Sequence, residues 1–184
     1  MRWEDLFRDL EGQLEAAEIA EVAAEVSDRT RREAARLRLV DRLRPAAGHE
    51  VRLQVQGGGQ VSGRLDRVGA QWVLVAEVAG RQALVPLTAV LAVAGLGVLS
   101  SPPDQEERVF DRLGLGSALR AIARDRLPVT LGLVDGSSLS GTVDRVGADF
   151  LELAEHGTGE PRRRGEVTGV RVVPFVAIGT LRST

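Results

Sequence analysis

The chain has 184 residues, a formal charge of −2 and no cysteine. Disulfides and thiolate metal sites are therefore excluded, and a broad basic surface that coats nucleic acid is disfavoured. All 24 cationic side chains are Arg, so every basic patch offers planar, bidentate groups suited to carboxylates, phosphates and aromatic faces. No apolar run approaches the roughly 20 residues of a bilayer span. The N-terminus turns acidic at Glu4 and Asp5, unlike a signal peptide. A cytoplasmic protein with no membrane partner is expected.

Residues 1–35 read as an amphipathic helical arm. Trp3, Leu6, Phe7, Leu10, Leu14 and Ala17 recur at spacings of three and four, the period of one helix face. Ser27 or Asp28 is placed to cap a second helix carrying Ala34, Ala35, Leu39 and Leu43, which stops before Pro45. An isolated helix has little stability of its own. The stripe must therefore pack, either on the adjoining domain or against a second copy of the arm.

Residues 36–97 form the first of two repeats. Val51, Leu53 and Val55 alternate with Arg52, Gln54 and Gln56, the two-residue period of a half-buried strand. Gly57, Gly58 and Gly59 supply a hairpin turn. A second strand runs through Val61, Gly63 and Leu65, and Gly63 inside it marks a bend. A third strand from Trp72 to Glu77 and short fourth and fifth strands, near Gln82–Val85 and Ala89–Val93, follow. Five short antiparallel strands in about 50 residues describe a small barrel.

Residues 98–115 are a polar linker containing Pro102, Pro103, Asp104 and Gln105. Residues 116–184 repeat the first domain, beginning with a helix over about 117–126. Val51–Gly63 aligns with Val129–Gly141 at an ungapped offset of 78 residues. The block Asp66, Arg67, Val68, Gly69, Ala70 recurs as Asp144, Arg145, Val146, Gly147, Ala148, and Trp72 matches Phe150. Val85-Pro86 then matches Val173-Pro174 at an offset of 88, so the second copy holds 10 extra residues around His156–Gly165. A hairpin loop is where such an insertion leaves the core undisturbed.

The fold class that emerges is mainly β with helices: two tandem five-stranded barrels, each behind a helix, plus the arm. The second copy carries Val129, Leu131, Gly136, Gly141, Val143 and Val146, then Ala177, Ile178, Gly179, Thr180 and Leu181. This pattern resembles the Sm and Sm-like (LSm) barrels, and within them the Hfq-type bacterial RNA chaperones. The likeness spans about 36–95 and 116–182. The whole chain also resembles a group of actinobacterial proteins, a likeness that implies no activity. The Sm resemblance implies RNA binding. The expected RNA site departs from the family pattern: Gly69 and Gly147 stand where an acid is expected, Val73 and Leu151 near an Asn, and Thr88 and Val176 near a His.

Catalytic chemistry has little material here. The two histidines, His49 and His156, fall in expected loops without metal-ligand spacing. No enzyme, cofactor, metal site or small-molecule substrate is expected. Arg162, Arg163 and Arg164 on the long hairpin are the first candidates for phosphate contact. Arg67 and Arg145 are placed to add to a basic rim. Trp72 and Phe150 are candidates for base stacking or for core packing. Two functions follow as expectations: an RNA-binding or RNA-associated protein, and an assembly module that oligomerises through edge strands and the arm.

Overall fold

The structure is a computed structural model and describes residues 11–13, 21, 24–101, 113–157 and 169–183. The chain divides into two compact units, Met1–Arg38 and Leu39–Thr184. In the first, residues 11–13, 21 and 24–34 are helical; helix α1 is residues 24–34. Ser27 and Asp28 do not cap a helix, as expected from sequence, but lie inside α1. There they serve one-turn pairs: Arg31 donates to the Ser27 hydroxyl at 2.9 Å and lies 3.6 Å from the Asp28 carboxylate. Arg29 and Glu33 make another such pair at 3.1 Å. The helix ends in a turn at residues 35–36, so Ala35 and Leu39 do not share one continuous helix.

The second unit opens with α2 (Leu39–Leu43) and a 3-10 turn at Arg44–Ala46. Pro45 suits that first turn, where its missing N–H goes unneeded. Five strands follow: β1 (Glu50–Val55), β2 (Gly59–Val68), β3 (Trp72–Ala76), β4 (Gln82–Pro86) and β5 (Val90–Ala94). Arg42 then gathers the carbonyls of Gly97, Val98 and Leu99 at 2.6–2.8 Å, tying the start of the linker to α2. Helix α3 (Leu115–Asp125) leads the second set: β6 (Pro128–Leu133), β7 (Ser138–Val146), β8 (Phe150–Glu155), β9 (Gly169–Pro174) and β10 (Ile178–Ser183).

The ten strands among the described residues belong to one antiparallel sheet in the order β5-β1-β2-β3-β4-β10-β6-β7-β8-β9. The order contains the same five-strand pattern twice, joined where β4 meets β10. The sheet is not closed: β5 and β9 are its two edges. The register repeats with the sequence. Val51 faces Gly63 and Val129 faces Gly141. The long second strand of each copy carries a bulge in the same place, between Leu65 and Arg67 and between Val143 and Arg145. A bulge adds a residue to one strand and bends it, which lets each long strand turn around its own core.

Alternation along β1 buries Val51, Leu53 and Val55 and leaves Arg52 and Gln54 in solvent. Two apolar clusters result. The first gathers Leu43, Leu53, Val61, Leu65, Val73 and Val85. The second gathers Leu119, Leu131, Leu151, Leu153 and Ile178, and also takes in Trp72 and Leu84 from the first copy. Full burial of one such side chain stabilises by about 1.5–3 kcal/mol. The second core is therefore completed by residues of the first repeat.

Candidate functional site

The junction between the copies is the most developed contact region. Strand β4 pairs with β10 through Leu84 opposite Leu181 and Ala83 opposite Arg182. Leu84 and Leu181 are each 3% exposed. Polar groups fasten the margins. Arg182 meets Glu77 at 3.0 Å and donates to the Gln60 carbonyl at 3.3 Å. The Gln82 N–H donates to the Ser183 hydroxyl at 2.9 Å. Trp72 donates its indole N–H to the Leu113 carbonyl at 2.9 Å, and the Gln71 amide oxygen accepts the Leu115 N–H at 3.1 Å. The first copy thus positions the start of α3.

Gly57 and Gly136 show why the hairpin tips of the two copies need glycine. Both have positive φ, at +86° and +90°, and a Cβ on Gly57 would lie 3.1 Å from the Gly136 amide nitrogen. A mainly apolar cavity of about 270 Å³ opens at the same junction, lined by Trp72, Leu84, Ile122 and Leu181 with Arg67 and Asp125 among its polar residues.

Among the described residues, the repeat-equivalent strands β5 and β9 have no partner strand on their outer side. Val172 of β9 occupies the position of Leu84 but is 59% exposed, and Val170 beside it is 60% exposed. On β5, Ala92 is exposed at the position of Thr180, which is 4% exposed. Leu91 next to it is 64% exposed. Arg171 on β9 pairs with Glu155 at 3.2 Å.

The residues selected from sequence do not gather into one basic surface among the described residues. Arg162, Arg163 and Arg164 lie outside the described residues. Arg145 is 3.7 Å from Glu152, its cross-strand neighbour on β8. Arg67 lines the junction cavity. Trp72 is buried and Phe150 half-buried, and each ring lies over the glycine of its own turn. A Cβ on Gly69 would enter the Trp72 indole, and one on Gly147 the Phe150 ring. The glycines at these two turns are thus explained by the aromatic three residues later. Those rings are engaged in packing, which leaves little face for a base.

His156 lies just past the end of β8, outside any strand as expected from sequence, and is only 5% exposed. Its Nε2 is 2.8 Å from the Thr142 hydroxyl and its Nδ1 is 3.0 Å from the Gly157 carbonyl. The Nδ1–H tautomer satisfies both contacts, with Thr142 donating to Nε2. Among the described residues, no cluster of three or more His, Asp or Glu is placed to hold a metal. No described helix is long and apolar enough to cross a membrane. No family model, curated protein or solved structure matches the chain.

Proposed function

We propose that the protein is a non-enzymatic assembly module, built of two Sm-like half-barrels, whose open sheet edges take up a strand from a partner polypeptide. One observation carries this reading: the chain already joins its two copies by edge pairing of β4 with β10, and the equivalent strands β9 and β5 remain as the two ends of the sheet. An exposed edge presents unpaired backbone donors and acceptors, the requirement for strand addition. Val170 and Val172 give the β9 edge apolar contact area that a partner would remove from water.

Amide hydrogen exchange at residues 90–94 and 169–174 tests this. In protein recovered in its native complexes, these amides exchange slowly; after dilution and isolation they exchange fast, because a free edge opens easily. Equally fast exchange in both states would sink the reading.

RNA association is the second reading. It is favoured by the all-Arg cationic composition, with Arg162–Arg164 as the expected phosphate contacts.

A further inference from the structure

We infer that the cavity between the two copies is a binding site for a small linear carboxylate, a fatty acid of medium chain length. This is a class of ligand not expected from the sequence. The floor of the site is set by register. Leu74 pairs with Leu84, and Leu84 with Leu181, so three leucines stand side by side across β3, β4 and β10. One wall is a face of α3. Leu115 and Leu119 turn into the second core, whereas Ala118, Ala121, Ile122 and Asp125 border the cavity. Those four recur at spacings of three and four, a second stripe along the same helix. The two alanines keep that stripe low, which leaves room above the leucines.

The dimensions select a thin apolar body. Trp72 borders the cavity at the start of β3, and Gln82, the partner of Ala76, borders it at the other end. That run of β3 extends about 13 Å at about 3.3 Å per residue. From Ser117 to Asp125, both on the lining, α3 extends about 12 Å at about 1.5 Å per residue. A volume of about 270 Å³ holds roughly nine non-hydrogen atoms at about 30 Å³ each, the share of one water in the liquid. An unbranched tail of about eight to ten carbons therefore fills it, with the head group left at the mouth.

Charge fixes the head group. Arg67 lines the cavity from β2, opposite Leu74 in the register, and is exposed. Its planar guanidinium donates in a fork that matches a carboxylate. Asp125 also lines the cavity, but it stands between Arg124 and Arg126 in the chain, so the mouth is not anionic as a whole. The hydroxyl-bearing Ser117 and Ser183 add neutral polar groups. A carboxylate thus meets a cation at the lip while its tail leaves water against the leucines. Leu74 and Leu84 come from the first copy and Leu181 from the second, so neither copy holds the site alone.

Isothermal titration calorimetry of the full chain with decanoate, decanol and decylammonium, each below its micelle threshold, tests the site. Decanoate should bind one to one, and about tenfold or more tighter than the other two, the worth of a charge-assisted hydrogen bond. From hexanoate to decanoate the affinity should rise about fourfold for each methylene removed from water, then level off for longer chains that overrun the trough. Arg67→Gln should erase the preference for decanoate over decanol and leave decanol binding in place. Ala121→Phe, at an exposed position of α3, should block both, with circular dichroism showing an intact fold. Decanoate binding that survives Ala121→Phe lies elsewhere on the chain and overturns the assignment. No decanoate binding by the wild type does the same. Equal affinity for the three head groups, or an Arg67→Gln variant as selective as its parent, overturns the ligand class. The head-group comparison uses the unaltered chain, so it decides even where a variant fails to fold.

Discussion

The indole N–H of Trp72 reaches across the repeat boundary to the carbonyl of Leu113 at 2.9 Å. One hydrogen bond therefore couples the start of β3 to the entrance of α3. The ring itself belongs to the apolar cluster of the second copy. Trp72→Phe copies the residue at the equivalent position 150 and removes the donor. It is expected to cost about 1–3 kcal/mol, because it leaves a carbonyl short of its partner and a small void. Trp72→Ala should cost about 3–5 kcal/mol. Urea unfolding of both variants gives the comparison. Near-equal losses would mean that the N–H contributes most of the effect.

Gly63 and Gly141 each lie against a backbone carbonyl of the next strand. A Cβ on Gly63 would collide with the Ala76 oxygen, and one on Gly141 with the Ala154 oxygen. Gly63 also has φ of +155°, a conformation that L side chains rarely adopt. Gly63→Val and Gly141→Val should each destabilise by roughly 1–3 kcal/mol through overpacking, with Gly63→Val the more costly. The denaturant midpoint should fall without a change in slope. Unmoved midpoints would show that neither strand needs its glycine.

Thr142 and His156 form a polar pair inside the second copy. Thr142→Val removes the hydroxyl and leaves the imidazole Nε2 buried with no donor. A loss of about 1–3 kcal/mol is expected, the desolvation cost of an unmade hydrogen bond. The double replacement Thr142→Val with His156→Leu should recover part of that loss, since no polar atom is then stranded. A double-mutant cycle read by thermal unfolding checks it; strict additivity would mean the pair is not coupled.

The RNA reading has its own discriminating measurement. Replacing Arg162, Arg163 and Arg164 together by Ala should weaken RNA binding evenly across sequences, because phosphate contacts do not read bases. Each single-strand phosphate contact contributes about 0.7 to the log–log salt slope, so three lost contacts remove roughly 2 units. Filter binding at several salt concentrations reports both quantities. Unchanged affinity and slope would clear these arginines of the role, and a parent that binds no RNA would remove the reading with them.

The repeat was legible because its strongest signals are local. The Asp66–Ala70 block and the alternating Val51, Leu53 and Val55 are dictated by a turn and by a one-sided strand, and both reappear in place. The close backbone approach at Gly63 was legible for the same reason: a glycine inside a strand has few other causes. Long-range consequences were not. Nothing near Leu84 in the sequence says that β10, almost a hundred residues later, will cover it. The burial of His156 was hidden because its partner Thr142 lies on another strand. Ser27 looked like a helix cap because a capping hydroxyl and a mid-helix hydroxyl have the same local sequence signature. The pairing of Arg145 with Glu152 was not legible for the same reason as the burial of His156: the acid directly opposite it stands on another strand.

The duplication imposes an arithmetic on any larger structure made by extending the sheet from chain to chain. Repeats enter only in covalent pairs, so a closed assembly must contain an even number of them. The seam carrying Trp72 and Arg182 lies within one chain, so only seams between chains would be free to part. Such an object has half the rotational symmetry of its repeat count, and on dilution it comes apart into two-repeat units, never into single ones.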